Sequence, residues 1–127
     1  MKRGGILNAQ LNAAISGLGH GDLVVVADCG LPLPVGVPVV DLAVVHGLPP
    51  FAAVLDALLA DAVFEACTAA DESVGTLAGE QIAARFDEVD HVTHDELKAL
   101  SGRARLLVRT GEATPFANVV LRCGVPF

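Results

Sequence analysis

Cations are scarce in this sequence. Lys and Arg together number 8 against 15 Asp and Glu, and the formal net charge is −7 over 127 residues. A protein that tracks nucleic-acid phosphates needs clustered cations, so nucleic acid is excluded as an expected partner. Cysteine is equally sparse: Cys29, Cys67 and Cys123 lie far apart, and no CxxC pair of a redox or zinc site exists. No apolar run reaches the roughly 18 residues of a membrane helix. The start, Met1-Lys2-Arg3-Gly4-Gly5, is basic, but Asn8, Gln10 and Asn12 interrupt the next segment, which therefore lacks the apolar core of a secretory leader. An odd number of thiols without such a leader leads us to expect a cytoplasmic protein with reduced cysteines. GxGxxG, P-loop, HExxH and Ser–His–Asp patterns are all missing, so neither a nucleotide cofactor nor an obvious nucleophile is expected. His91 and His94 are the only closely spaced histidines. A strand ending near Val92 would separate them, and no carboxylate or cysteine cluster joins them, so no metal is expected.

What is present is apolar. Hydrophobic residues make up 53% of the chain and charged ones 18%, too apolar for disorder and of a length that suits one domain. So short a chain cannot bury that much apolar surface alone, which points to a homo-oligomer. Leu7, Leu11, Ala14, Ile15 and Leu18 recur at helical spacing. Leu23–Ala27 (LVVVA) reads as a strand buried on both faces, and Val39–Val45 as a second. A helix runs from Pro49-Pro50 through about Leu59. Val63–Ala69 reads as a strand, Gly79–Phe86 as a helix and Val89–Val92 as a short strand. His94–Leu100 reads as a helix capped by Thr93, and Arg105–Arg109 and Val119–Arg122 as late strands. The alternation predicts an α/β fold: a single three-layer domain with a mostly parallel sheet flanked by helices.

Polar groups gather at the ends of these elements. His20 lies between Gly19 and Gly21, past the first helix, where a cationic imidazole suits a general acid; alone, the position equally fits a surface turn. Asp28 opens the loop Asp28-Cys29-Gly30-Leu31-Pro32-Leu33-Pro34, at the carboxyl end of a strand, where ligands of open α/β sheets sit. Its carboxylate can accept from hydroxyls, or merely end the strand in a turn. It also opposes a thiolate at the neighbouring Cys29. Thr93-His94-Asp95-Glu96 is a helix start that adds a second imidazole. Thr110–Asn118 is a polar loop between two strands, fit either for binding or for simple connection. His46 reads as a polar loop residue.

In their order and spacing these segments resemble the D-ribose pyranase family, whose relatives include the L-fucose mutarotases. The resemblance runs nearly end to end: KRGGILN at the start, LGHGD (18–22), ADCGLPLP (27–34), Val40-Asp41, THDELK (93–98), and RTGEATPFAN to CGVPF at the end. It implies that His20 is the proton donor and that Asp28, His94, Phe116, Ala117 and Asn118 bind substrate. Phe116 departs from the family's usual Tyr, keeping a stacking surface but losing a hydroxyl donor. The Gly30–Pro34 loop and His94 favour the pyranase branch. The implied reaction is interconversion of pyranose and furanose forms and anomers of ribose, without cofactor. The implied assembly is a ring-like homo-oligomer, an octamer or decamer. A non-catalytic sugar-binding module on the same fold, and a mutarotase for L-fucose or another aldose, are the alternatives.

Overall fold

The structure, a computed structural model, describes residues 1–127. Its strands are β1 (Leu23–Ala27), β2 (Val39–Asp41), β3 (Phe64–Ala70), β4 (Asp90–Val92), β5 (Leu106–Arg109) and β6 (Val119–Cys123). Its helices are α1 (Ala9–Ser16), α2 (Phe51–Asp61), α3 (Leu77–Ala83) and α4 (His94–Ser101), with a 3-10 turn at Asp71–Ser73. One six-stranded sheet has the order β2-β5-β1-β6-β3-β4. β1, β2 and β5 pair in parallel, as do β3 and β4, while β6 runs antiparallel to both β1 and β3. Every strand but β6 therefore shares one direction, and the sheet is α/β and mostly parallel, as expected.

Successive strand residues face opposite sides, and the core divides accordingly. Val24 and Val26 of β1 join Leu11 of α1, Leu55 and Leu58 of α2 and Ile82 of α3 on one face. Val25 and Ala27 join Leu97 of α4, Leu107 and Val120 on the other. Three helices cover the first face. The second has α4 alone, helped by Leu31 from the loop after β1. Because β1 is buried on both sides, with Val24–Ala27 all at 0% exposure, it carries no polar residue until Asp28.

β2 corrects one expectation. The apolar run to Val45 stops pairing at Asp41, whose Oδ1 accepts the Ala43 amide (3.0 Å) while Oδ2 accepts from Arg109 (2.9 Å). The side chain turns the backbone out of the sheet before the β-branched residues can extend the strand. Helix α3 starts at Leu77 rather than Gly79, capped by Thr76, and ends at Ala83. Helix α4 starts where expected, in a full capping box: Thr93 Oγ1 accepts the Glu96 amide and Glu96 Oε2 accepts the Thr93 amide.

Candidate functional site

The carboxyl edge of the sheet collects most of the expected residues. A cleft of about 480 Å³ opens there, walled by Asp28, the Cys29–Pro32 loop, His46, His94, Lys98 and the Glu112–Phe116 loop. That volume is in the range of small-molecule sites. Asp28 leaves β1 half-buried and is held by a reciprocal pair with Asn118. Asn118 Oδ1 accepts the Asp28 amide (2.9 Å), and its Nδ2 donates to Asp28 Oδ2 (2.8 Å). The Gly30 amide donates to Asp28 Oδ1 (2.9 Å). Two donors thus fix the carboxylate and leave each oxygen a lone pair for a ligand.

His94 begins α4, and its ring packs in a T-shaped contact with Phe116, at a centroid distance of 5.2 Å and an interplanar angle of 85°. Its Nδ1 is buried without a hydrogen-bond partner. An orphaned buried nitrogen is costly unless some ligand or water satisfies it. Phe116 adopts φ +63°, a conformation that bulky residues rarely hold. Ala117 and Asn118 are both at 0% exposure, behind the wall rather than on it. Of the candidates, then, Asp28, His94 and Phe116 line the cleft, while Asn118 acts on it through Asp28.

Three wall residues were not singled out from the sequence. Lys98 lies four residues after His94, one helical turn along the same face, a spacing that could have found it. His46, read as a plain loop residue, stands in the wall because the Gly47 amide donates to the Gly111 carbonyl and ties its turn to the Thr110–Asn118 loop. Gly111 is obligatory there: a Cβ would lie 2.1 Å from the Leu48 carbonyl oxygen. The third is Glu112. Burial alone would raise its pKa, but hydrogen bonds from the Thr114 hydroxyl and from the Phe51, Thr114 and Ala113 amides outweigh it, holding the carboxyl below its ordinary range. Arg109 completes the scaffold, donating twice to the Cys29 carbonyl (3.2 and 2.8 Å).

His20 is not in this cleft. It sits before β1, at the sheet's amino edge, in a turn pinned by the Gly21 amide on the Cys123 carbonyl (2.9 Å). Its Nε2 lies 3.1 Å from Glu65 Oε2, and Arg122 Nε lies 3.0 Å from the other Glu65 oxygen. A register shift between Phe64 and Ala66 takes Glu65 out of the ladder toward this cluster. The imidazole is 55% exposed and lines a second, broader cavity of about 820 Å³ with Val63, Val125 and Phe127. The five residues of β1, a strand about 16 Å long, lie between it and Asp28.

Comparison with known proteins gives the family of the chain. The model of the RbsD / FucU transport protein family matches residues 1–126. The chain is 54% identical over 129 residues to the D-ribose pyranase of Streptomyces avermitilis and 49% identical over 127 residues to that of Cutibacterium acnes, each covering 100% of both chains. The solved structure of Bacillus subtilis RbsD complexed with D-ribose superposes with a TM-score of 0.94 at 38% identity, with 100% of both chains covered. The Streptococcus pneumoniae fucose mutarotase in complex with L-fucose shares the fold, with a TM-score of 0.76 over 95% of each chain at 19% identity. The sheet order, the end-to-end match and the full-length relatives lead to one conclusion: this chain belongs to the RbsD / FucU transport protein family.

Proposed function

We infer that the chain is a D-ribose pyranase, an isomerase that interconverts pyranose and furanose forms of ribose by acid–base catalysis. The observation that carries the reading is the convergence of Asp28, held by Asn118, and the His94–Phe116 ring pair on one cleft, in a chain whose full-length relatives bear that name. A carboxylate and an imidazole give hydroxyl-binding groups, and the phenyl ring gives an apolar face to pack on a sugar ring. Ring opening removes a proton from the anomeric hydroxyl, breaks the bond between C1 and the ring oxygen, and returns a proton to that oxygen. The C4 or C5 hydroxyl then attacks the aldehyde, giving furanose or pyranose. Nothing is oxidised and no cofactor is consumed. We assign the proton to the ring oxygen to His20, and sugar binding to Asp28, His94 and Phe116, with Ala117 and Asn118 supporting them from behind the cleft wall.

His20 and Asp28 stand at opposite edges of one sheet, so a single pentose cannot touch both within one chain. We propose that the site is completed by a neighbouring copy in a ring-like homo-oligomer, with the amino edge of one subunit against the carboxyl edge of the next. Exposed apolar residues flank both halves: Val44 and Val45 beside His46, and Val63, Val125 and Phe127 beside His20. This reading carries a cytoplasmic location. Anomer-exchange NMR with ribose and with L-fucose tests the function. Acceleration for ribose is expected; acceleration for fucose alone would move the chain to the other branch, and acceleration for neither would make it a sugar-binding module.

A further inference from the structure

We propose that Glu112 is a positioning residue, which clamps the loop bearing Phe116 into sugar-binding geometry and takes no part in proton transfer. The inference rests on the reading that Phe116 packs on the sugar. A carboxylate in the wall of a sugar cleft invites assignment as a base, but four donors already hold this one. Oε1 accepts the Ala113 amide (3.1 Å), the Thr114 amide (3.1 Å) and the Thr114 hydroxyl (2.8 Å). Oε2 accepts the Phe51 amide (3.1 Å). At about two acceptor positions per oxygen, Oε1 is saturated and Oε2 keeps one, and a carboxylate stabilised by four donors is a weak base for a substrate proton.

The same contacts say what the residue does. Helix α2 has Pro50 at its N-cap and no side-chain cap of its own, and Glu112 supplies the missing acceptor from 61 residues away. The helix N-terminus favours the negative charge placed there. The main chain of Glu112 fastens a third piece: its carbonyl accepts the Cys29 amide (2.8 Å), next to Asp28. One side chain and its backbone thus bind together α2, the loop after β1 and the turn leading to Phe116. Phe116 needs such support, because φ +63° is sustained only where surrounding structure over-determines it.

The test uses Glu112→Gln and Thr114→Val in the full chain. Gln keeps the shape but turns an NH₂ toward donors that require an acceptor. The readouts are ribose affinity by NMR titration, exchange rate at saturating ribose, and the His94 ring-proton shifts, which report the Phe116 contact without substrate. For Glu112→Gln, affinity should weaken roughly tenfold, the scale of a lost hydrogen bond to a charged group, and the His94 shifts should move. The saturating rate should fall by less than about threefold. Thr114→Val should move affinity and shifts in the same sense by less, and decides the matter if the Gln variant does not fold. Unchanged affinity and shifts would overturn the clamp. So would a collapse of the saturating rate at unchanged affinity, which is the behaviour of a base. Phe116→Ala separates the premises: if it leaves ribose affinity intact while Glu112→Gln still moves the His94 shifts, the clamp stands and the assumed sugar contact fails.

Discussion

At the scale of single residues, chemistry and scaffolding fall to different groups. His20 is half-exposed and partnered only by Glu65, the setting of a group that must meet a substrate. His20→Ala should slow ribose exchange by roughly 10² to 10⁴, the usual contribution of an acid–base group; a variant retaining most of its rate would remove His20 from the role. Phe116→Tyr should add a hydroxyl at the cleft wall and tighten binding of at least one aldose, measurable by titration across a panel of pentoses and hexoses. Glu112 gives a pH signature. Its pKa is depressed in the folded chain, so its ionised form stabilises the fold above the unfolded value, and that stabilisation is lost as pH falls through the folded value. The urea midpoint of Glu112→Gln should therefore lie below that of the parent at pH 7, and the gap should shrink as pH drops below the ordinary glutamate range. A gap independent of pH would contradict the assigned cause.

At the scale of elements, the sequence shows most of the fold and part of the site. β1 was legible to the residue because an unbroken Val run has only one comfortable place, the middle of a sheet covered on both faces. α4 was legible because Thr93 and Glu96 form a capping box. Thr93→Ala should cost about 1 kcal/mol in urea unfolding. Since His94 and Lys98 ride on this helix, it should also weaken ribose binding. The direction of β6 has a subtler cue in the chain. Only the residues 110–118 join β5 to β6, and a parallel return needs a crossover of a dozen or more. The chain must therefore come back the other way, on the far side of β1. What no local pattern could show is the meeting of Asp28 with Asn118, 90 residues apart, or of Glu112 with Phe51. Those contacts depend on strand order, which period and propensity do not encode. The place of the loop residue His46 in the cleft wall is hidden for the same reason, since it depends on the tie from Gly47 to Gly111 across the cleft.

At the scale of the whole molecule, β1 acts as a spacer. It holds the histidine at one rim and the aspartate at the other, with a fully buried strand between. If each site draws on two chains, inactivity becomes a property of pairs rather than of polypeptides, and genetics can see it. His20→Ala and Asp28→Ala, each strongly impaired alone, should complement when co-expressed. A site that takes its imidazole from the Asp28→Ala chain and its carboxylate from the His20→Ala chain is wild-type in every group. Random mixing around a ring makes about one site in four of that kind, so recovered activity near a quarter of the parent's is expected. Co-expressed chains that stay inactive while assembling together would mean that each protomer works with its own residues.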